Sequence, residues 1–165
     1  MSIHVRLGVL AWFALTGATP AFGATLHADM ATATLSGAGA NVGTVTMSDS
    51  AKGAQIKVSL HGLTPGLHAF HVHQNPSCAP GPVNGKVVPA GAAGDHYGMT
   101  AGMSMGAGAM APLGDLPSLM VKADGTDNET LLAPRLTNVA ELKGHPVIIH
   151  AGDATTARFA CGLLK

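Results

Sequence analysis

The chain has 165 residues, 47% of them hydrophobic and only 11% charged, with nine Lys and Arg against nine Asp and Glu. So sparse and balanced a charge offers no basic footprint for nucleic acid and no cationic amphipathic face for a membrane surface, and both partners are set aside. The length suits one domain with a core of its own.

The first element reads as an export signal. Arg6 precedes an apolar run from Leu7 to Leu15, and Ala21, Phe22 and Gly23 offer small residues around a cleavage position. Residues 1–23 are therefore expected to be a signal peptide and residues 24–165 the mature domain, periplasmic or secreted. No later stretch is long enough to span a bilayer, so no membrane association is expected after cleavage. Cleavage removes the single Trp, Trp12, and leaves a core of Val, Leu, Ile, Ala and Met with Phe70 and Phe159.

Along the mature part the dominant period is two. Ala31 to Leu35, Gly43 to Met47 and Gln55 to Leu60 read as short strands, with turn-like segments at Ser36 to Asn41 and Ser48 to Gly53. Leu63, Thr64, Pro65, Gly66 is a turn signal before a further strand. From Asn75 to Pro112 the chain is rich in Gly, Pro, Ala and Met without clear period, which predicts a long functional loop pinned at a few points. Leu116 to Ala123 reads as a strand, Val139 to Leu142 as a short helical turn, and Val147 to His150 and Ala157 to Leu164 as closing strands. Short strands spaced by tight turns predict an all-β fold, a Greek-key sandwich or flattened barrel of about eight antiparallel strands.

The chemistry concentrates in histidine. His71 and His73 flank one apolar residue on a strand, so their side chains project to one face and reach one metal ion. His96, in Gly94, Asp95, His96, Tyr97, and His150, after Val147, Ile148, Ile149, could complete the set. Four neutral imidazoles suit copper, zinc, nickel or iron rather than the hard calcium and magnesium ions, with copper the first choice. Both cysteines, Cys78 and Cys161, lie in the mature part. An oxidising compartment favours their pairing; two free thiols that join the metal site are the alternative.

Taken together these segments resemble the copper/zinc superoxide dismutases of bacterial exported type. Gly66 to His73 looks like the strand carrying two copper ligands, and Asn75, Pro76, Ser77, Cys78 like the loop cysteine after it. Pro89 to Tyr97 resembles the segment with the histidine that bridges copper and zinc, and Leu113 to Pro117 and Leu132 to Arg135 follow in the family's order. Ile149 to Gly152 resembles the segment of the last copper ligand, and Ala157 to Gly162 the active-site arginine with its disulfide partner. The resemblance implies copper held by His71, His73, His96 and His150, a Cys78–Cys161 disulfide, and dismutation of superoxide to oxygen and hydrogen peroxide. It further implies that His96 leaves the metal on reduction and carries a proton, and that Arg158 receives the substrate anion.

Two departures shape the expectation. The family places two more zinc-binding histidines before the Leu, Gly, Asp segment, whereas Met99 to Met110 contains none and Pro112 stands at about the position of the second. Of four zinc ligands only His96 and Asp115 remain, too few for a closed site, so no structural zinc is expected. The long charged loop between the last copper histidine and the arginine shrinks to Gly152 to Ala157. Both omissions are shared by the copper-only members of the family, which this chain most resembles. Without zinc the His96 ring needs another orienting partner, and Asp115 is the candidate.

His68 and His145 read as structural residues bonding backbone near the site, and His27 and His61 as surface residues. Met99, Met103, Met105 and Met110 invite a cuprous site, since thioethers are soft ligands, although gap-filling in a flexible loop is the plainer reading. A cuprous site would make the chain a periplasmic copper-binding or delivery protein on a dismutase scaffold, the alternative function. The sequence leaves the oligomeric state open.

Overall fold

A computed structural model describes residues 23–100, 103, 111–153 and 157–165. Three long strands come first: β1 (Thr25–Thr34), β2 (Gly37–Ser50) and β3 (Gly53–Leu60). β1 alternates strictly at its start, Leu26, Ala28 and Met30 inward against His27 and Asp29 outward, and β3 does the same with Ile56, Val58 and Leu60 against Gln55, Lys57 and Ser59. This period-two burial is what a strand with one solvated face requires.

The shorter elements are β4 (Gly66–His68), β5 (Phe70–Val72), β6 (Gly81–Val83), β7 (Lys86–Val88), a helical turn at Gly91–Ala93, β8 (Leu119–Val121), β9 (Thr130–Ala133), a helical turn at Val139–Leu142, β10 (Pro146–His150) and β11 (Arg158–Leu163). Seven strands form one antiparallel sheet in the order β5-β10-β11-β1-β2-β3-β9, and β4 pairs with β8 and β6 with β7. After β3 the chain crosses to the far edge of the sheet at β5, and β9 returns beside β3; these crossovers give the curled Greek-key architecture expected from the strand pattern. Among the described residues no helix is long and apolar enough to cross a membrane.

Several expectations need correction: the first strand starts at Thr25 rather than Ala31, and Ser48 to Ser50 still pair with Gly53 to Gln55, so that only Ala51 and Lys52 lie between β2 and β3. Ser36 to Asn41 is mostly strand, because β2 starts at Gly37 and keeps pairing with β1 through register shifts near Ala31; only Leu35 and Ser36 turn. Small polar residues on an exposed ladder look like a loop in sequence, and the ladder decides. The long middle segment also holds a hairpin, β6 with β7, closed by Asn84 and Gly85 with φ of 49° and 78°. Two positive φ values at an Asn-Gly pair make the favoured two-residue hairpin turn.

β10 carries the architecture to the site. All five of its residues are buried, because both of its faces are covered. Val147 and Ile149 join the main core with Phe70, Val72 and Met30, whereas Ile148 packs with Ala90, Ala93 and Cys161 beneath the loop on the outer face. The Cys78–Cys161 disulfide, with Cα atoms 5.8 Å apart, ties that loop to β11.

Candidate metal centre

β5 and β10 pair antiparallel with His71 opposite Ile148, so the alternation that sends Phe70 and Val72 into the core sends His71 to the outer face under the loop. His73, two residues on, shares that face, and an isolated bridge sets it opposite His96. His150 ends β10 at a register shift against β11. Four residues from three parts of the chain thus converge. Each offers one ring nitrogen, these atoms all lie within 4.8 Å of one another, and all four residues are buried.

The second nitrogens have protein partners where the ring must be fixed. Nδ1 of His73 donates to the carbonyl of Gly94 at 3.0 Å, and Nδ1 of His96 donates to Oδ1 of Asp115 at 2.6 Å. Nε2 of His73 and Nδ1 of His71 are buried with no hydrogen-bond partner among the described residues. A buried nitrogen without a partner is costly unless something fills the role, and two such atoms inside a four-nitrogen cluster fit a metal ion. Burial, then the neighbouring imidazoles, lowers His71 from 6.5 to about 2, and burial, then Arg158, lowers His73 to about 3. Both rings are therefore neutral at physiological pH, the form that ligates.

Arg158 opens β11 beside the cluster and is half-buried. Nη1 donates to the carbonyl of Ala90 at 2.7 Å and Nη2 to that of Gly94 at 2.8 Å. The Gly94 carbonyl thus joins Arg158 to His73. Burial draws the guanidinium below its ordinary value and Asp95 opposes that; the group remains a fixed cation beside the cluster. Gly114 lets the Asp115 segment lie this close, since a Cβ there would fall 2.3 Å from the Val72 carbonyl oxygen and 2.7 Å from the Tyr97 nitrogen.

His68 and His145 do bond backbone near the site. The His68 ring spans two segments of main chain, with Nδ1 2.5 Å from the carbonyl of His150 and Nε2 2.7 Å from the carbonyl and 3.3 Å from the hydroxyl of Thr64, and His145 donates from Nδ1 to the carbonyl of His73 at 2.9 Å. His27 lies exposed beside Asp29, and His61 is exposed. Met105 and Met110 lie outside the described residues, as do residues 1–22 of the expected signal; Met99 and Met103 are half-buried. Sequence reasoning did not find Gly94 or Ala90, whose roles belong to carbonyl groups that every residue carries.

Residues 41–164 match the model of the copper/zinc superoxide dismutase family. The chain belongs to the copper/zinc superoxide dismutases. It is 46% identical over 154 residues to superoxide dismutase (Cu-Zn) 1 of Salmonella typhimurium, covering 86% of this chain and 87% of that one. With superoxide dismutase (Cu-Zn) of Brucella abortus it shares 43% over 161 residues, 90% of this chain and 92% of the relative. Among solved structures, the Cu/Zn superoxide dismutase from Brucella abortus superposes with a TM-score of 0.79 at 42% identity, covering 86% of this chain and 100% of that one. The solution structure of the monomeric copper, zinc superoxide dismutase from Salmonella enterica gives 0.75 at 36% identity, over 86% of this chain and 100% of that one. Family membership implies copper for this superoxide dismutase, and the four-imidazole cluster could hold a metal ion.

Proposed function

We propose that this chain is an exported superoxide dismutase that uses copper at His71, His73, His96 and His150 without structural zinc, as in the copper-only branch of its family. The observation that carries the reading is the buried cluster of four ring nitrogens within 4.8 Å, beside a fixed arginine. Bound copper supplies one-electron exchange, so that two superoxide anions and two protons yield dioxygen and hydrogen peroxide.

The residues of the chain do the rest. Arg158, held by two carbonyls, presents a permanent positive donor to the anion. Asp115 holds the proton of His96 at Nδ1, which leaves Nε2 to face the cluster. That carboxylate does for the ring what zinc does elsewhere in the family, and the two missing histidines and Pro112 support a zinc-free centre. The shortened segment Gly152 to Ala157 supports a more open approach with weaker electrostatic steering. The N-terminal signal pattern over residues 1–23 and the bacterial relatives support a periplasmic or secreted domain over residues 24–165. Relatives at 46% and 43% identity named as superoxide dismutases favour the enzyme over a copper carrier built on Met99, Met103, Met105 and Met110.

The test is to offer the protein both metals, measure bound metal by elemental analysis, and follow superoxide consumption. One copper and no zinc per chain with fast turnover, abolished in His150→Ala, is the expected result. Stoichiometric zinc overturns the zinc-free part, and copper uptake without turnover overturns the enzyme.

A further inference from the structure

His73 lies one residue beyond β5, where its ladder with β10 ends. Its amide donates to the carbonyl of Pro146 at 2.8 Å. In an antiparallel ladder such a bond has a reciprocal, in which the facing amide donates to the carbonyl of the first residue. Pro146 has no N–H to give. The carbonyl of His73 is met instead by Nδ1 of the residue before that proline, His145, at 2.9 Å. A carbonyl only accepts, so this nitrogen carries the hydrogen.

The ring of His145 is itself held in place. It stands edge-on to Tyr97, centroids 4.8 Å apart and planes at 70°, the arrangement that ring pairs prefer. Its main chain is fixed at both groups, the amide donating to Leu142 and the carbonyl accepting from Leu164, each at 3.0 Å. Tyr97 follows His96 directly, donates its amide to Val72 at 2.9 Å and accepts from Gly114 at 2.8 Å. One side chain therefore touches the main chain of His73 and the neighbour of His96, the two ligands that face each other across an isolated bridge.

We propose that His145 is a positioning residue of the metal centre, its Nδ1–H standing in for the amide that Pro146 lacks and Tyr97 fixing its ring, so that His73 and His96 keep their mutual placement. The effect on copper rests on the dismutase reading above; the hydrogen bond itself rests on the metal-free geometry.

The test uses His145→Phe, which keeps a flat ring against Tyr97 without a donor, and the double variant His145→Phe, Pro146→Ala, which returns a main-chain donor at residue 146. In the metal-free protein, hydrogen exchange of the His73 amide is expected to quicken about tenfold in the single variant and to recover in the double. In the copper-loaded protein, the Cu(II) paramagnetic resonance spectrum is expected to change and copper to pass to a chelator about tenfold more readily in the single variant. Both are restored in the double variant. Exchange unchanged in His145→Phe, or a double variant that recovers nothing, overturns the proposal. If the single variant fails to fold, recovery of folding in the double supports the proposal and its absence overturns it. If the wild type takes up no copper, the dismutase reading fails and the exchange rates alone decide the hydrogen bond.

Discussion

Asp115 and His96 are the residues on which a centre without structural zinc, as proposed, bears most directly. Their side chains are 7% and 4% exposed and meet at 2.6 Å, so the carboxylate is shielded from water and its bond to Nδ1 sets the tautomer of the ring. Asp115→Asn keeps an oxygen acceptor but drops the charge, and copper affinity is expected to fall about tenfold; Asp115→Leu removes the acceptor, and a loss of up to about 100-fold is expected. Competition with a chelator of known affinity measures both, and equal affinity in all three proteins would remove Asp115 from the site. Arg158 permits a similar separation. Its two N–H groups reach two carbonyls at once, which a lysine ammonium cannot match. Arg158→Lys is expected to lower the second-order rate with superoxide by about tenfold while leaving copper content unchanged; an unaltered rate would make the fork irrelevant. At this scale the cluster of four histidines beside Arg158 was legible because imidazole and guanidinium are scarce and chemically distinctive. The carbonyls of Gly94 and Ala90 were not, since a main-chain acceptor leaves no mark on the sequence.

Among the elements, the stretch from Asn75 to Gly94 shows how a segment without period is held. The disulfide fixes it at Cys78, Asn75 donates its side-chain amide to Ala92 at 3.2 Å, and Arg158 grips Ala90 and Gly94 from the other side. Cys78 and Cys161 are separated by 83 residues, a closure that the chain-entropy model values at roughly 4–5 kcal/mol. The double variant Cys78→Ser, Cys161→Ser is expected to lose most of that in urea melts, and to lose turnover before it unfolds, because the carbonyls that fix Arg158 sit on the released loop. Retention of full turnover at reduced stability would show that the loop keeps its shape unaided. β3 was legible from alternation, since one of its faces meets water, whereas β1 was read only from Ala31 and its alternating start, Leu26 to Met30, was missed. β10 was legible only as a continuous apolar run, because the loop covers its second face. The hairpin of β6 and β7 had a signal, Asn84 and Gly85, that the surrounding Gly and Pro obscured.

For the molecule as a whole, the joint between the seven-stranded sheet and the β4–β8 pair holds a buried carboxyl. Asp127 follows the turn after β8 and exchanges main-chain bonds with Leu60 of β3 at 2.8 and 3.0 Å. It is 2% exposed. Its Oδ2 and the Oε1 of Glu129 meet no donor among the described residues. Burial first, and then the charge of Glu129, pushes the Asp127 carboxyl from 3.8 up to about 6, while Lys122 and the Met120 amide pull the other way. A carboxyl raised in the folded state contributes stability that is fully present below its unfolded value of 3.8 and is lost as pH rises through about 6. Asp127→Asn replaces the titrating carboxyl with an amide that stays neutral throughout this pH range. The variant is therefore expected to match the parent or fall below it near pH 4 and to exceed it by on the order of 1–2 kcal/mol near pH 8. Urea melts of the metal-free protein at several pH values and constant ionic strength measure the difference. A gap that does not change with pH would mean that the two carboxyls titrate independently, and that the joint tolerates both charges.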